Sequence, residues 1–198
     1  MLTLLPRIAT PQATFDPRSL MPGAREVWME IGFGGGEHMA GQAAAHPDVL
    51  VLGAEPFLNG VAGALNHIDA EGLQNVRLHV GDARALMDRL PTASIDRLFL
   101  LFPDPWPKLR HHKRRLVAAP FLAAAARILK PGARLRFATD WEDYAEWTLE
   151  RFLASADFTW SAQVADDWRV APADHMTTRY EAKRLGDCAP IWLEFIRL

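Results

Sequence analysis

The residues of this 198-residue chain that could do chemistry are concentrated between positions 102 and 115. A Phe-Pro-Asp-Pro-Trp turn places Asp104 and Trp106 at the end of an apolar run, and a basic stretch follows at once. A carboxylate can stabilise positive charge on a nucleic-acid base, an indole can stack on that base, and cations can bind the phosphates beside it. These residues together predict a site that modifies a nucleic-acid base, next to a surface that binds the polynucleotide backbone.

The basic stretch is a local concentration of charge. The chain has 22 Lys and Arg residues, and the five in this stretch are Lys108, Arg110, Lys113, Arg114 and Arg115. The other 17 are outnumbered by 24 acids. A polyanion should therefore find one patch and not a generally basic surface. We expect RNA contacts from Arg110, His111, His112, Lys113, Arg114 and Arg115. The histidines are interpreted as polar neighbours of phosphate, and no spacing of His, Cys or acids predicts a metal site.

A second polar cluster is the loop Glu30-Ile-Gly-Phe-Gly-Gly-Gly-Glu. Its glycines, Gly32, Gly34 and Gly36, let the backbone pass close to a cofactor, while Glu30 can accept hydrogen bonds from a cationic ligand end. S-adenosylmethionine, which carries an ammonium and a sulfonium, has such an end. A dinucleotide-binding loop stays open as an alternative, although Glu37 would repel a pyrophosphate there.

The elements that must position these residues alternate between short apolar runs and helical patterns, which is typical of βαβ units. Strands are predicted at 27–32, 49–55, 75–82, 95–102 and 134–140, with two more in the tail that begins at residue 158, one of them at 191–196. Helices are predicted at 37–45, from about 57 through 68, along the face 117–129 and at 144–153, the third one stopped by Lys130-Pro131-Gly132. The pattern predicts an α/β fold with a doubly wound, mostly parallel sheet covered by helices on both faces.

Five acids fall at or just past the ends of successive predicted strands: Glu30, Glu55, Asp82, Asp104 and Asp140. Parallel sheets bind ligands at that edge, so these carboxylates should line one rim. Glu55 is placed to accept hydrogen bonds from ribose hydroxyls, and Asp82 to approach an adenine amino group.

Length and composition predict a single domain at 26–198, preceded by an irregular arm at 1–25. The chain has one cysteine, Cys188, so an intramolecular disulfide is excluded. The sequence shows no signal peptide and no apolar stretch long enough to cross a membrane, which favours a cytoplasmic protein.

Four motifs, in this order, resemble the tRNA (guanine-N7-)-methyltransferase family. They are Glu30-Ile-Gly-Phe-Gly, the run Phe-Pro-Asp-Pro-Trp-x-Lys-x-x-His-x-Lys-Arg-Arg from Phe102, Thr139-Asp140, and Thr178-Arg-Tyr-Glu181. The resemblance covers nearly the whole chain from Glu30 onward, and the Pro-Asp-Pro-Trp run is its most specific part. The arm before it is shorter than in many members.

This resemblance implies a class I methyltransferase fold, a Rossmann-like sheet of seven strands with an antiparallel C-terminal strand. It implies that S-adenosylmethionine donates a methyl group to guanine N7 in the tRNA variable loop, at position 46 in tRNA numbering. Glu30, Glu55, Asp82 and Asp104 then bind the cofactor, with Asp104 also in the catalytic position. Substrate contacts are implied at Lys108, Asp140, Thr178, Arg179, Tyr180 and Glu181.

The residues are consistent with that reaction, because guanine N7 carries no proton and its methylation needs no general base. Asp140 and Glu181 are the candidate carboxylates for reading the Watson-Crick edge of guanine. Three alternatives stay open: an NAD-dependent oxidoreductase, a noncatalytic RNA-binding module, and an adenine amino-methyltransferase with a related motif at the same strand end. No obligate protein partner is inferred, and both a monomer and a homodimer fit the sequence.

Overall fold

The computed structural model describes residues 4–198, in which seven strands form one sheet. The strands are β1 (Glu26–Ile31), β2 (Val49–Glu55), β3 (Val76–Val80), β4 (Ile95–Leu101), β5 (Leu129–Thr139), β6 (Phe158–Trp160) and β7 (Ile191–Arg197). Their order is β3-β2-β1-β4-β5-β7-β6. The first five are mutually parallel, and β7 runs antiparallel to both β5 and β6. The predicted fold class is confirmed.

Helices lie along the chain as α1 (Leu5–Ile8), α2 (Glu37–Ala45), α3 (Leu58–Glu71), α4 (Ala83–Arg89), α5 (Ala119–Ile128), α6 (Glu142–Leu153), α7 (Asp166–Arg169) and α8 (Arg179–Lys183). Two 3₁₀ segments, Pro17–Leu20 and Leu109–Arg114, complete the regular structure of the described residues. None of the helices in residues 4–198 combines the length and the apolarity that crossing a bilayer requires.

The central strands are buried on both faces because helices cover each side of the sheet. Every residue of β2 is buried, as expected for a parallel strand between two helical layers. Side chains alternate between the two layers along β1: Trp28 packs with α2 and α3 on one face, and Met29 packs with α4, α5 and α6 on the other. The sheet is therefore fixed in register, since a shift of one residue would exchange its two faces.

Strand β5 begins earlier than predicted. The helix before it ends at Ile128, as the stop signal indicated, but Lys130, Pro131 and Gly132 belong to the irregular start of β5 and not to a loop. Ile95 pairs with Leu129, and a shift in register then separates this pair from Arg97 and its partner Arg134. The extra residues bulge outward there, and Gly132 has a φ of 80°, which suits a bulge.

The stretch before β1 packs along the outer edge of β3. Residues 1–3 of the predicted arm lie outside the described part of the chain. Ala9 forms an isolated parallel bridge with Leu78, and Arg89 Nη1 donates to the carbonyl oxygen of Pro11 at 2.6 Å. An edge strand exposes unpaired backbone groups, so this stretch covers part of that edge.

Candidate active site

The acids at the strand ends lie along one rim of the sheet, because β1 to β5 are parallel and all end there. The strand order places them along the rim as Asp82, Glu55, Glu30, Asp104 and Asp140. The winding of the sheet changes direction between β1 and β4, which is where open α/β sheets bind ligands. Glu30 in β1 and Asp104 after β4 flank this point.

The loop after β1 exposes its backbone at the rim. Gly32, Gly34 and Gly36 have φ angles of 69°, 52° and 84°, which glycine adopts without steric cost. Gly32 and Gly34 are exposed, and a side chain added at either would meet nothing within 4 Å. The loop therefore leaves open space for a ligand directly over its backbone.

Small residues of α3 allow the glycine loop to pack closely against that helix. A methyl group at Gly60 would overlap the carbonyl oxygen of Gly34, and one at Gly63 would lie 2.9 Å from the carbonyl oxygen of Gly35. Gly36 approaches Ala64 in the same way, since its own added methyl group would lie 2.6 Å from the Ala64 Cβ. The shape of the loop is thus set by α3 as well as by its own glycines.

Glu55 fixes the other side of the loop. Its carboxylate is buried and accepts two backbone hydrogen bonds, from Gly34 N at 3.0 Å and from Phe57 N at 2.9 Å. The acid at the end of β2 therefore ties the glycine loop to the start of α3.

Glu30 is buried and has a histidine partner that the sequence did not indicate. Glu30 Oε2 lies 2.6 Å from Nδ1 of His38, whose ring is fully enclosed. Gln42, one turn further along α2, places its amide nitrogen 3.2 Å from His38 Nε2 and 2.5 Å from the carbonyl oxygen of Asp174. A chain of polar contacts thus runs from Glu30 to a residue 144 positions later in the sequence.

Asp82 is the most exposed acid on this side of the rim. It caps the N-terminus of α4 by accepting from Arg84 N at 2.9 Å, and it forms an ion pair with the Arg84 guanidinium. The hydrogen bond from the Arg84 side chain lowers the pKa of Asp82, so this carboxylate is ionised near neutral pH.

The Phe-Pro-Asp-Pro-Trp turn is a strained loop. Phe102 and Trp106 have φ angles of 50° and 45°, and each precedes a proline. Bulky residues rarely adopt such angles, and strain of this kind is concentrated at functional sites. Asp104 lies between them with its side chain exposed and makes no hydrogen bond within residues 4–198. The turn therefore presents a carboxylate that is available to a ligand.

The negative charge of Asp104 is felt by two nearby phenols. Burial raises the pKa of Tyr144 to about 12, and the charge of Asp104 adds to that rise. Burial also raises the pKa of Tyr180, reinforced by the charge of Asp140 and then by that of Asp104. Both hydroxyls therefore stay protonated near neutral pH.

Asp140 lies beneath the segment that carries the Thr-Arg-Tyr-Glu motif. It is 5% exposed, and the Tyr180 hydroxyl donates to its Oδ1 at 3.4 Å. The backbone of Gly186 presses on Asp140 so closely that any side chain at Gly186 would overlap it. Cys188 N donates to the Asp140 carbonyl oxygen at 3.1 Å. Residues 180–188 thus cover the end of β5.

Glu181 is held within its own segment. Thr178 and Glu181 form a capping box at the start of α8, with Glu181 Oε2 accepting from Thr178 N at 2.8 Å, and His175 Nε2 lies 2.9 Å from the same oxygen. Burial alone would raise the pKa of Glu181, but hydrogen bonds from His175 and Thr178 outweigh it and lower that pKa. Arg179, largely exposed, reaches Glu37 Oε1 at 2.9 Å.

The basic stretch folds into the 3₁₀ segment Leu109–Arg114 and divides into two groups. Four cations are exposed, Lys108, Arg110, Lys113 and Arg114, whereas His111 and His112 are half-buried. Arg114 stacks over the half-buried Trp106, with its Cζ 4.7 Å from the ring centroid.

Arg115 differs from the other cations, since its side chain is 1% exposed. Its guanidinium donates to the Pro105 carbonyl oxygen at 2.9 Å and pairs with Asp143. The guanidinium also lies over the rings of Tyr144 and Trp147, at 4.8 and 5.1 Å. The expected RNA contact therefore does not extend to Arg115 in this arrangement, because packing against α6 removes it from the surface.

Comparison with known proteins decides the family. Residues 24–192 match the model of a family described as "Putative methyltransferase". A tRNA (guanine-N(7)-)-methyltransferase of Caulobacter sp. (strain K31) is 62% identical, over 99% of this chain and 86% of that protein. A protein of the same name from Hyphomonas neptunium (strain ATCC 15444) is 54% identical, over 96% and 86%. The chain belongs to the tRNA (guanine-N7-)-methyltransferase family.

Solved structures agree with this fold. An rRNA methylase from Streptococcus thermophilus superposes with a TM-score of 0.60 at 13% identity, over 88% of each chain. A 16S rRNA (adenine(1408)-N(1))-methyltransferase from Catenulisporales acidiphilia gives 0.62 at 19% identity, over 96% of this chain and 97% of that one. Membership in the tRNA (guanine-N7-)-methyltransferase family confirms the enzyme class that the motifs implied, a methyltransferase that depends on S-adenosylmethionine.

A cavity of about 1310 Å³ in this family member lies away from the rim, over the N-terminal halves of β1, β4 and β5. Its charged lining is paired internally: Arg136 with Asp174 at 2.7 Å and with Glu194 at 3.0 Å, and Arg97 with Asp174 at 2.8 Å. These pairs hold the segment around Asp174 on the sheet, so we assign the cavity a structural role and place the candidate site at the rim.

Cys188 is close to Asp140 but is unsuited to act as a nucleophile. Burial raises the pKa of its thiol to about 11, with the charges of Asp187, Glu142 and Asp140 adding to the rise. The thiolate is the reactive form of cysteine, so this thiol is unreactive near neutral pH.

Proposed function

We propose that this chain transfers the methyl group of S-adenosylmethionine to N7 of a guanine in the variable loop of tRNA, position 46 in tRNA numbering, and so forms 7-methylguanosine. The observation that carries the proposal is the open glycine loop on one side of the switch point of the sheet and, on the other, the Asp104 carboxylate, which has no hydrogen-bond partner among residues 4–198. Family membership supports the choice of guanine N7 and of tRNA. We expect the protein to act in the cytoplasm, since tRNA is its proposed substrate.

The residues present fit S-adenosylmethionine. Glu30 Oε1 makes no hydrogen bond within the described residues and can accept from an ammonium group. Each oxygen of Glu55 accepts one backbone hydrogen bond and retains a lone pair for a ribose hydroxyl. Gly32 and Gly34 leave the space over the loop free, and Asp82 is exposed at the far end. When bound, S-adenosylmethionine supplies a methyl group activated by a sulfonium.

The chain's contribution to the reaction is positioning and electrostatics. Guanine N7 has an in-plane lone pair and no proton, so no residue has to act as a base. Holding two reactants in line can supply roughly 7 to 11 kcal/mol of the barrier. In the proposed complex the Asp104 carboxylate lies beside the purine, where it stabilises the developing positive charge, and more strongly once water is excluded. We therefore propose Asp104 as the catalytic residue.

Asp140 is our first candidate for reading the Watson-Crick edge of guanine. Its Oδ2 makes no hydrogen bond within residues 4–198, and Tyr180 is a weak partner of Oδ1 at 3.4 Å. A guanine ring N-H and amino group could replace that contact and satisfy the buried carboxylate. The Glu181 carboxylate is already bound by His175 and Thr178. We therefore propose that Glu181 orders the substrate-binding segment, to which Thr178, Arg179 and Tyr180 also belong.

The tRNA backbone is proposed to bind along the exposed cations beside the turn. With four phosphate contacts, from Lys108, Arg110, Lys113 and Arg114, the logarithm of the binding constant should fall with the logarithm of salt concentration at a slope of about -2.8 to -3.6. The half-buried His111 and His112 lie among these cations.

The test is methylation of an unmodified tRNA transcript with labelled S-adenosylmethionine, followed by mass spectrometry of nuclease fragments. We expect one label, on N7 of the variable-loop guanine. The Asp104→Ala variant should lose methyl transfer by at least about a hundredfold. It should keep the melting temperature, since the Asp104 side chain is exposed and makes no hydrogen bond or ion pair within the described residues. The exposed acid Asp88, changed to Ala, is the control. Label on an adenine amino group, or full activity in Asp104→Ala, would overturn the proposal.

A further inference from the structure

The directions of the hydrogen bonds between Asp174 and Glu30 are fixed by chemistry. The Asp174 carbonyl oxygen can only accept, so the Gln42 atom 2.5 Å away must be its amide nitrogen. The same nitrogen lies 3.2 Å from His38 Nε2 and can only donate there. The ring proton of His38 is therefore on Nδ1, where it is donated to Glu30 Oε2 at 2.6 Å.

We call the contacts from Asp174 through Gln42 and His38 to Glu30 the relay. The relay leaves one Glu30 oxygen free for a ligand and orients that oxygen. A buried carboxylate with a single donor rotates to suit that donor, so the position of the free oxygen depends on His38. His38 in turn is held by Gln42 and by the ring of Phe99, whose centroid is 4.9 Å away. The His38 side chain is fully buried, so water does not replace these partners.

The far end of the relay is the segment that leads to the substrate motif. Asp174 is anchored through its carboxylate to Arg136 and Arg97 on the sheet. The next residue, His175, stacks on the His38 ring at 5.3 Å between centroids, and its Nε2 lies 2.9 Å from Glu181 Oε2. Met176 then packs against Gly41 of α2. Residues 174–181 therefore dock on the same face of α2 that holds Glu30.

We propose that Gln42 and His38 are positioning residues that link docking of residues 174–181 on α2 to the orientation of Glu30. The inference rests on the proposed function, since it assigns Glu30 to the cofactor and the segment to tRNA. A tRNA that contacts the docked segment stabilises the relay and hence the cofactor-binding form of Glu30. Cofactor and tRNA then bind cooperatively, each tightening the other by the same factor.

The experiment measures coupling without catalysis. The dissociation constant of S-adenosylhomocysteine is determined by calorimetry for the full chain, with and without saturating tRNA. For the unchanged protein we expect tRNA to tighten binding at least about fivefold, which is the lower end of ordinary coupling. Gln42→Met keeps the length of the side chain but removes the donor, so its coupling should fall below about twofold with little change in affinity when tRNA is absent.

His38→Asn separates the two ends of the relay. The Asn amide nitrogen occupies the place of the His38 Nδ1 and keeps the donor to Glu30, but it offers nothing to Gln42 or to the His175 ring. We expect near-normal affinity without tRNA and lost coupling, whereas His38→Ala should lose both. Matched controls are Gln74→Met and His67→Asn, which lie outside the relay and should keep both quantities.

Three results would overturn the inference: no coupling in the unchanged protein, unchanged coupling in both Gln42→Met and His38→Asn, or equal losses of affinity with and without tRNA. The last is what a purely structural role predicts. The proposed function fails separately, if the unchanged protein binds both ligands and transfers no methyl group to guanine.

Discussion

Arg115 Nε donates a hydrogen bond at 2.9 Å to the carbonyl oxygen of Pro105, which lies ten positions earlier, in the strained turn. The guanidinium is buried between that carbonyl and the rings of Tyr144 and Trp147 on α6. The last cation of a surface-exposed run therefore supports the backbone directly after Asp104.

Replacing Arg115 by Met should lower the free energy of unfolding by about 1 to 3 kcal/mol, because the Pro105 carbonyl oxygen loses its partner in a buried place. Methyl transfer should fall with it, since the turn that presents Asp104 loses its support. Urea unfolding and a methylation assay measure the two effects.

Lys113→Met is the matched control for that variant, because Lys113 is exposed. It should leave stability unchanged and reduce the salt slope of tRNA binding by about 0.7 to 0.9. Identical behaviour of the two variants would show that Arg115 is not a structural cation.

Gly60→Ala should be harmful, although replacing glycine by alanine usually stabilises a helix. Alanine normally stabilises a helix by up to about 1 kcal/mol over glycine. Here the added methyl overlaps the Gly34 carbonyl oxygen and lies 3.1 Å from Glu55 Cγ, so the glycine loop must shift. We expect the affinity for S-adenosylhomocysteine to fall about tenfold or more, as measured by calorimetry.

Two further substitutions in α3 test whether the loss of affinity follows how closely the added methyl group approaches the glycine loop. Gly63→Ala meets the Gly35 carbonyl oxygen at 2.9 Å and should weaken binding less than Gly60→Ala does. Asn66→Ala, on the exposed side of the helix, should leave affinity unchanged. Equal binding in all three would mean that close packing of α3 does not shape the loop.

The depressed pKa of Asp174 predicts that the folded protein loses stability in acid. Burial alone would raise its pKa, but hydrogen bonds and charge from Arg136 and Arg97 lower the pKa to about 2. A carboxylate with a depressed pKa stabilises the fold above its ordinary pKa of 3.8, and that stabilisation is lost as pH falls from 3.8 through about 2. Because the side chain is 35% exposed, we discount the contribution for solvent screening, to about 1 kcal/mol.

Urea unfolding between pH 2 and 6 checks this window. The Asp174→Asn variant should be less stable than the unchanged protein at pH 6, and the difference should vanish towards pH 2. The exposed acid Asp88, changed to Asn, should follow the unchanged protein throughout. A constant difference across the pH range would contradict the role of the Asp174 charge.

Glu181→Gln should impair the use of tRNA without impairing the cofactor. The glutamine can still accept from Thr178 N, but the charge-assisted contact with His175 is lost, which is worth about 1.5 to 3 kcal/mol. We expect kcat/KM for tRNA to fall about tenfold or more and the affinity for S-adenosylhomocysteine alone to stay within about twofold. Glu71→Gln, at the exposed end of α3, is the control.

The sheet was predictable because its strands are short apolar runs that stop at acids. Both α2 and β2 have the predicted bounds, and β7 was expected within one residue of its end. The start of β5 was missed because Pro131 and Gly132 are stop signals in isolation, and only the pairing of Leu129 with Ile95 extends the strand to include them. Helix α4 and the short helices α7 and α8 carried too few periodic positions to be predicted.

The acids at the rim could be predicted because strand ends are visible in the sequence. The relay through His38 and Gln42 could not, since its partners lie more than 130 residues away and no local pattern joins α2 to Asp174. The burial of Arg115 could not be predicted either, because no local pattern in the sequence indicates it. Its neighbours in sequence are exposed cations, and its place in the fold is decided by aromatic residues of α6.

Strand β7, the last strand of the described residues, is not at the margin of the sheet. Strand β7 lies between β5 and β6, and Glu194 in it pairs with Arg136 in β5. A chain that lacks residues 191–197 would therefore leave the eleven-residue β5 as an open edge, and Arg136 would keep only its pair with Asp174. A chain truncated before residue 191 should be an aggregation-prone polypeptide and not a slightly shortened enzyme.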